Sequence, residues 1–359
     1  MHSWRFSRVA SAILAFNLAV IGWGAFVRAT GSGAGCGAHW PLCNGEIIPR
    51  APRIETIIEL SHRVSSGLAI LLIAGLALWG WRTRAKGDLA SRAALVSLFF
   101  VATEALIGAA LVLLRLVAYD ASLQHAASMA LHLMNTFLLL ASLTLTVHFA
   151  AGHAPRRIVS LRRQGALPWV LAVALGATLM VGTSGAIAAL GDTLFPSRSL
   201  ALGVAQDFSA TANVLLRLRA LHPLLAVIAG VLTVGTAAAV RALRPTERVR
   251  NSARLVVMAF VVQLAVGLLN LVLLAPVWMQ LVHLLLADAA WIALVLLAAE
   301  ALGASAHHVE KGARADERRA PVDEERRSGH VTGRGRNEEE NGFANLVDGA
   351  RASERDALL

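Results

Sequence analysis

The sequence predicts an all-α membrane protein, with eight transmembrane helices arranged as two tandem four-helix bundles related by an internal repeat. Three observations predict it. The 359-residue chain is 56% hydrophobic and only 16% charged, and its mean hydropathy is +0.61, outside the range of soluble domains. Eight apolar stretches each come near the roughly 20 residues needed to cross the hydrocarbon core. The same polar residues also recur at corresponding places in stretches one to four and five to eight.

In order, the stretches are 9–27, 57–81, 93–114, 126–147, 167–190, 214–240, 254–275 and 278–300. Leu, Ala, Val and Gly dominate them, and a single apolar segment satisfies its backbone in lipid only as a helix. Arg5 and Arg8 precede the first stretch as in a signal peptide, but its length and the lack of a cleavage box before Arg28 make it a membrane anchor. The link that follows, 31–63, holds both cysteines, a run of glycines and a Glu59-x-x-His62 pair. The cysteine spacing fits no zinc pattern, so Cys36 and Cys43 are one bridge or two free thiols.

The formal charge of +10 lies in the gaps between apolar stretches, which is a positive-inside pattern and not a nucleic-acid footprint. Alternate gaps carry fifteen Lys and Arg residues (Arg5, Arg8; Arg82, Arg84, Lys86, Arg92; Arg156, Arg157, Arg162, Arg163; Arg241, Arg244, Arg248, Arg250, Arg254) against seven (Arg28, Arg50, Arg53, Arg115, Arg198, Arg217, Arg219). The richer set is cytoplasmic, with both termini inside and the cysteine link outside, where thiols oxidise. On that ground a Cys36–Cys43 disulfide is expected. From 302 onward the chain turns to mixed charge, read as a disordered cytoplasmic tail. The expected divisions are therefore 1–150, 151–301 and 302–359.

The repeat carries the chemistry. His62 opens stretch two and His222 opens stretch six; His132-Leu133 in stretch four matches His283-Leu284 in stretch eight; Glu104-x-x-x-Gly108 matches Gln263-x-x-x-Gly267. All four histidine-bearing stretches run from outside to inside, so the imidazoles share a depth. Ionisable residues inside a membrane segment point to function. Two histidine pairs facing across four-helix interiors suit a planar macrocycle held on its axis, one per half, whereas zinc asks for more converging ligands. A proton relay or a packing cluster is the alternative. His125 competes with His132 on nearly the same helical face, and the Leu that follows both His132 and His283 favours His132. Glu59 lies one turn from His62, where it is a solvated cap or a group that exchanges protons or stabilises developing positive charge. Arg63, Arg217 and Arg219 flank the histidines, where they anchor the interface or pair with haem propionates. Glu104 and Asp288 lie deeper and need partners.

These residues resemble the haem A synthases of bacteria and mitochondria across roughly residues 8–300. The most specific matches are GAFVRATGSG at 24–33, Cys36 with WPLCNG at 40–45, Glu59-x-x-His62-Arg63, Leu221-His222-Pro223 and His283-Leu284-Leu285. The resemblance implies oxidation of a ring methyl of haem O to the formyl of haem A, for cytochrome oxidase. It implies that His62 and His132 serve the substrate haem, that His222 and His283 hold a haem b, that Glu59 is essential, and that Cys36 and Cys43 pair. Expected partners are haem O, a haem O synthase, an unidentified electron carrier, the lipid bilayer of the cell inner membrane and a second copy of the chain as a homo-oligomer; no nucleic acid is expected. Gly37-Ala38-His39 departs from the family's Pro-Asp before Trp-Pro-Leu-Cys, and the second half lacks a cysteine pair. Two rival classes are a non-catalytic bis-His dihaem cytochrome, which has no use for Glu59 or the cysteine link, and a transporter built on parallel repeats.

Overall fold

A computed structural model describes the backbone of residues 2–153 and 164–328, and the side chains of 4–153 and 164–303. Nine α-helices are present among these residues: α1 (His2–Ala29), α2 (Ile54–Thr83), α3 (Leu89–Leu113), α4 (Leu123–His148), α5 (Leu167–Leu194), α6 (Leu200–Asp207), α7 (Val214–Leu243), α8 (Glu247–Val272) and α9 (Val277–Ser328). Eight are long and apolar enough to cross a membrane, and they coincide with the eight expected stretches. The chain is a multi-pass membrane protein. The short α6 was not anticipated; its apolar content is too small for a span, and Ser199 caps it by accepting from Leu202 N–H.

Local chemistry sets the ends. Asp88, Ser122, Asn213 and Thr246 each accept a backbone N–H at the start of α3, α4, α7 and α8, replacing partners that a helix cannot provide for its first turn. Pro168 sits in the first turn of α5, where its missing N–H costs nothing. Pro223 lies inside α7 directly after His222, and a proline there deprives the carbonyl four residues earlier of its donor. α3 and α8 end alike. Arg115 and Leu274 adopt the left-handed conformation, and Leu116 N–H reaches back to Leu111 O as Ala275 N–H does to Asn270 O. Their offset in the chain is the one that separates Glu104 from Gln263.

Buried side chains gather in distinct clusters. One draws on α1 to α4, with Phe6, Ile73, Leu76, Ala94 and Leu143. Another draws on α5, α7, α8 and α9, with Leu171, Ala237, Val256, Phe260 and Leu294. A smaller one joins α4 to α9: Phe137 stacks on Trp291, whose indole N–H donates to Phe137 O at 2.6 Å. Many large apolar side chains face outward, Leu71 at 70%, Val231 at 67% and Leu106 at 65% exposure among them, which suits a hydrocarbon solvent.

One compact unit reaches Ala306 and a second begins at His307. The backbone of α9 stays helical to Ser328, past the point where the tail was expected to lose order at 302. Ala, Glu and Arg dominate that segment, and their helix propensity acts without an apolar stripe. The rest of that expected tail, 329–359, lies outside the described residues, as does the cluster Arg156, Arg157, Arg162 and Arg163.

Candidate functional site

The four histidines are set by a common device. Each lies against a helical glycine of a neighbouring helix: His62 of α2 against Gly24 of α1, His132 of α4 against Gly108 of α3, His222 of α7 against Gly185 of α5, and His283 of α9 against Gly267 of α8. A Cβ on Gly24 would stand 2.8 Å from His62 Cε1, on Gly185 3.1 Å from His222 Cε1, and on Gly267 2.8 Å from His283 Cε1; on Gly108 it would meet His132 Cε1 at an ordinary 4.0 Å. The seats formed by Gly108 and Gly267 belong to the sequence repeat already noted. Those of Gly24 and Gly185 went unnoticed, although their offset nearly equals that of His62 and His222.

The histidines of each half are neighbours. His62 and His132 are electrostatic neighbours, and the His222 and His283 ring centroids stand 6.5 Å apart. The Nδ1 atoms of His62, His132 and His283 are buried without a hydrogen-bond partner. His222 Nδ1 meets Ser184 Oγ at 2.9 Å. Metal–nitrogen bonds of about 2 Å would place two axial ring centroids on the order of 6 Å apart, close to the observed separation in the second half. The residues present therefore fit a bis-His haem. His125 is 3% exposed, and its Nδ1 lies 2.7 Å from Asp120 O in the α3–α4 link.

Around each pair the polar groups differ. Glu104 Oε1 lies 3.3 Å from His132 Nδ1, in charge-pair range though off the hydrogen-bond direction. The carboxylate accepts from Thr136 Oγ1 at 2.5 Å and from Asn135 Nδ2, and Asn135 in turn accepts from Thr103 Oγ1 at 2.7 Å. In the second half Gln263 Nε2 donates to His283 O at 3.0 Å, and its Oε1 has no partner. Asp288 is fully buried, and neither of its carboxylate oxygens has a partner among the described residues.

The link between α1 and α2 folds onto the start of α2. Cys36 and Cys43 form a disulfide. Gly35 packs so closely that a Cβ would come within 2.5 Å of Glu55 backbone atoms, and its carbonyl accepts from Thr56 Oγ1 at 2.8 Å. Glu59, 4% exposed, accepts Cys36 N–H on Oε2 at 2.8 Å and Arg63 Nε on Oε1 at 3.1 Å. Arg63 Nη1 donates to His39 O at 2.6 Å and Leu42 O at 2.7 Å. Thr56, Glu59 and Arg63 share one face of α2, so one helical stripe fastens the whole disulfide link.

The arginines expected beside haem propionates have protein partners. Arg63 is held as above, Arg217 donates to Ala210 O, and Arg219 pairs with Asp192 at 3.0 Å and with Asp207. Arg28, absent from the site expectations, donates to Ala189 O, Thr193 Oγ1 and Gln280 Oε1, tying α1 to α5 and α9.

Fold and site define a class: a helical membrane protein with two pairs of glycine-seated histidines and one disulfide-closed link. Residues 7–295 match the COX15-CtaA family model, described as cytochrome oxidase assembly protein, and the chain belongs to that family, the haem A synthase family. A Thermus thermophilus protein named protoheme IX farnesyltransferase is 47% identical over 308 residues, 86% of this chain and 50% of that protein. The Heme A synthase of Halalkalibacterium halodurans is 39% identical over 154 residues, 42% of this chain and 48% of its own length. That of Alkalihalophilus pseudofirmus is 48% identical over 86 residues, 24% of this chain and 29% of its own. The chain thus spans about half the length of the Thermus relative.

Proposed function

We propose that this protein is a haem A synthase, oxidising a methyl group of haem O to the formyl group of haem A for cytochrome oxidase assembly. The observation that carries the reading is the pairing of four glycine-seated histidines, two in each half, with a disulfide link on the first half alone. His62 and His132 hold the iron of the substrate haem O; His222 and His283 hold a haem b. When bound, haem b supplies one-electron transfer. Residues 1–150 form the substrate half and 151–301 the electron-transfer half. Gly24 leaves room for His62, and Ser184 would orient His222 from Nδ1, leaving Nε2 as the nitrogen that could hold iron.

Glu59 acts by holding the Cys36–Cys43 link beside His62, with Arg63 as its counter-charge. The closed link lies beside the reacting methyl, where a positive charge developing on carbon would meet the nearby carboxylate before water adds to that carbon as the oxygen source. The link faces the outer side of the inner membrane and both termini face the cytoplasm, following the arginine distribution. A haem O synthase delivers the substrate, and an electron carrier accepts what the haem b half passes on.

The name of the Thermus relative favours a second reading, prenyl transfer to protohaem, which gives the paired histidines no task. Both are tested by purifying the protein in lipid, supplying haem O with an electron-transfer system in one assay and protohaem with farnesyl diphosphate in another, and separating extracted haems by chromatography. Haem A from haem O is expected. Haem O from protohaem, with no haem A in the first assay, would overturn the proposal in favour of the second reading.

A further inference from the structure

The two halves place different polar groups beside matched histidines. In the first, Glu104 of α3 faces His132; in the second, the corresponding residue of α8 is Gln263, facing His283. The surroundings diverge with them. Asn135 and Thr136 follow His132 by three and four residues and both donate to the Glu104 carboxylate. The residues in the same places after His283 are Leu286 and Ala287, which have nothing to donate.

Thr103 fixes which way the Asn135 amide points. Its hydroxyl donates to Asn135 Oδ1 at 2.7 Å, so Nδ2 turns to Glu104 and to Phe100 O at 2.9 Å. Glu104 therefore sits among donors, and its Oε1 lies 3.3 Å from His132 Nδ1, in charge-pair range without a hydrogen bond. A carboxylate this close to an imidazole favours positive charge on the ring, and so makes the ring the more strongly donating ligand. Gln263 acts on His283 differently: it carries no charge, grips the backbone carbonyl, and comes only to 3.4 Å of Nε2.

We propose that Glu104 is a positioning residue that makes His132 a more strongly donating iron ligand than His283, so that the two haem sites differ in potential by design of their surroundings. The inference rests on the reading of His132 and His283 as haem ligands. A stronger donor stabilises the ferric state, giving the first site the lower potential and the second the higher.

The test uses full-length protein in lipid, loaded with haem O and haem b, with optical redox titration and low-temperature electron paramagnetic resonance as readouts. Glu104→Gln is expected to keep both haems and raise one midpoint by the equivalent of a tenfold change in the oxidation equilibrium, about 59 mV for one electron, while the other midpoint stays fixed. The double variant Gln263→Glu/Ala287→Thr, which supplies a carboxylate and a hydroxyl donor to the second half, is expected to lower the other midpoint and shift its resonance signals. Unchanged midpoints and signals in both variants, with haem content intact, would overturn the inference. If Glu104→Gln does not fold, the double variant decides alone. Wild-type protein that takes up no haem fails the functional reading instead, a result distinct from either.

Discussion

Substituting alanine at the glycines that seat the histidines separates a ligand-holding role from ordinary helix packing. Gly24 and Gly108 both lie within long helices, so replacing either with Ala gains up to about 1 kcal/mol of helix propensity. What differs is the space above them. At Gly108 the added methyl meets His132 Cε1 at 4.0 Å, an ordinary contact, whereas at Gly24 it stands 2.8 Å from His62 Cε1, and at Gly267 2.8 Å from His283 Cε1. In the haem-free protein an imidazole can swing aside from such a collision, and stability changes little. A ring bound to iron is not free to do so, and overpacking of this kind costs about 1–3 kcal/mol. At about 1.4 kcal/mol per tenfold, that is a loss of roughly 5- to 150-fold in haem affinity. Gly24→Ala should weaken haem O, Gly267→Ala should weaken haem b, and Gly108→Ala should leave both unchanged with equal or higher thermal stability. Haem transfer to an excess of apomyoglobin, followed at the Soret band, measures these affinities. Equal haem loss from Gly24→Ala and Gly108→Ala would refute the reasoning, because their helix contexts agree and only the ring contact differs.

The Glu59 contacts predict that Glu59→Ala, which strands the mostly buried Arg63 guanidinium and the Cys36 N–H, destabilises the link by about 3–5 kcal/mol, seen as faster hydrogen exchange at residues 36–43. Glu59→Gln keeps an acceptor for Cys36 and should show a smaller change. Arg28→Met removes three donor contacts that join α1 to α5 and α9; a loss of about 2–3 kcal/mol is expected for hydrogen bonds to a charged group, measured by thermal unfolding in detergent. At Asp88, outside the spans, burial pushes the carboxyl up, but the Arg84 guanidinium and the Ser91 N–H outweigh it and hold it below its ordinary value of 3.8. A carboxylate held low adds stability above its unfolded value and loses it as pH falls through the folded one. Asp88→Ala should therefore cost about 1 kcal/mol at neutral pH, and the gap from wild type should narrow below about pH 4.

Positions of the spans were legible because lipid imposes one rule on every segment that crosses it, and length with apolarity reports that rule directly. The four histidines were legible too, since an intramembrane imidazole stands out against Leu and Ala and the repeat supplied its matches. His125 shows the limit: it shares a helical face with His132, and only folding revealed the Asp120 carbonyl that occupies its ring. Glu59 was read as a free group beside His62, while the structure engages both its oxygens in the link and in Arg63. Arg63 was read as an interface anchor or a propionate partner, and its partners lie in the same link.

By itself the sequence determined that the chain crosses the membrane in eight apolar helices, that it repeats, and that four imidazoles recur in matched places. These follow from composition and period, which are local properties. Tertiary structure alone decided which glycine lies under each ring, that Glu104 comes beside His132 while Gln263 grips a backbone carbonyl, and that Arg28 joins α1 to α5 and α9. Each of those depends on which helix stands beside which and at what height. No pattern within one helix encodes that, because it arises when separate apolar faces pack together.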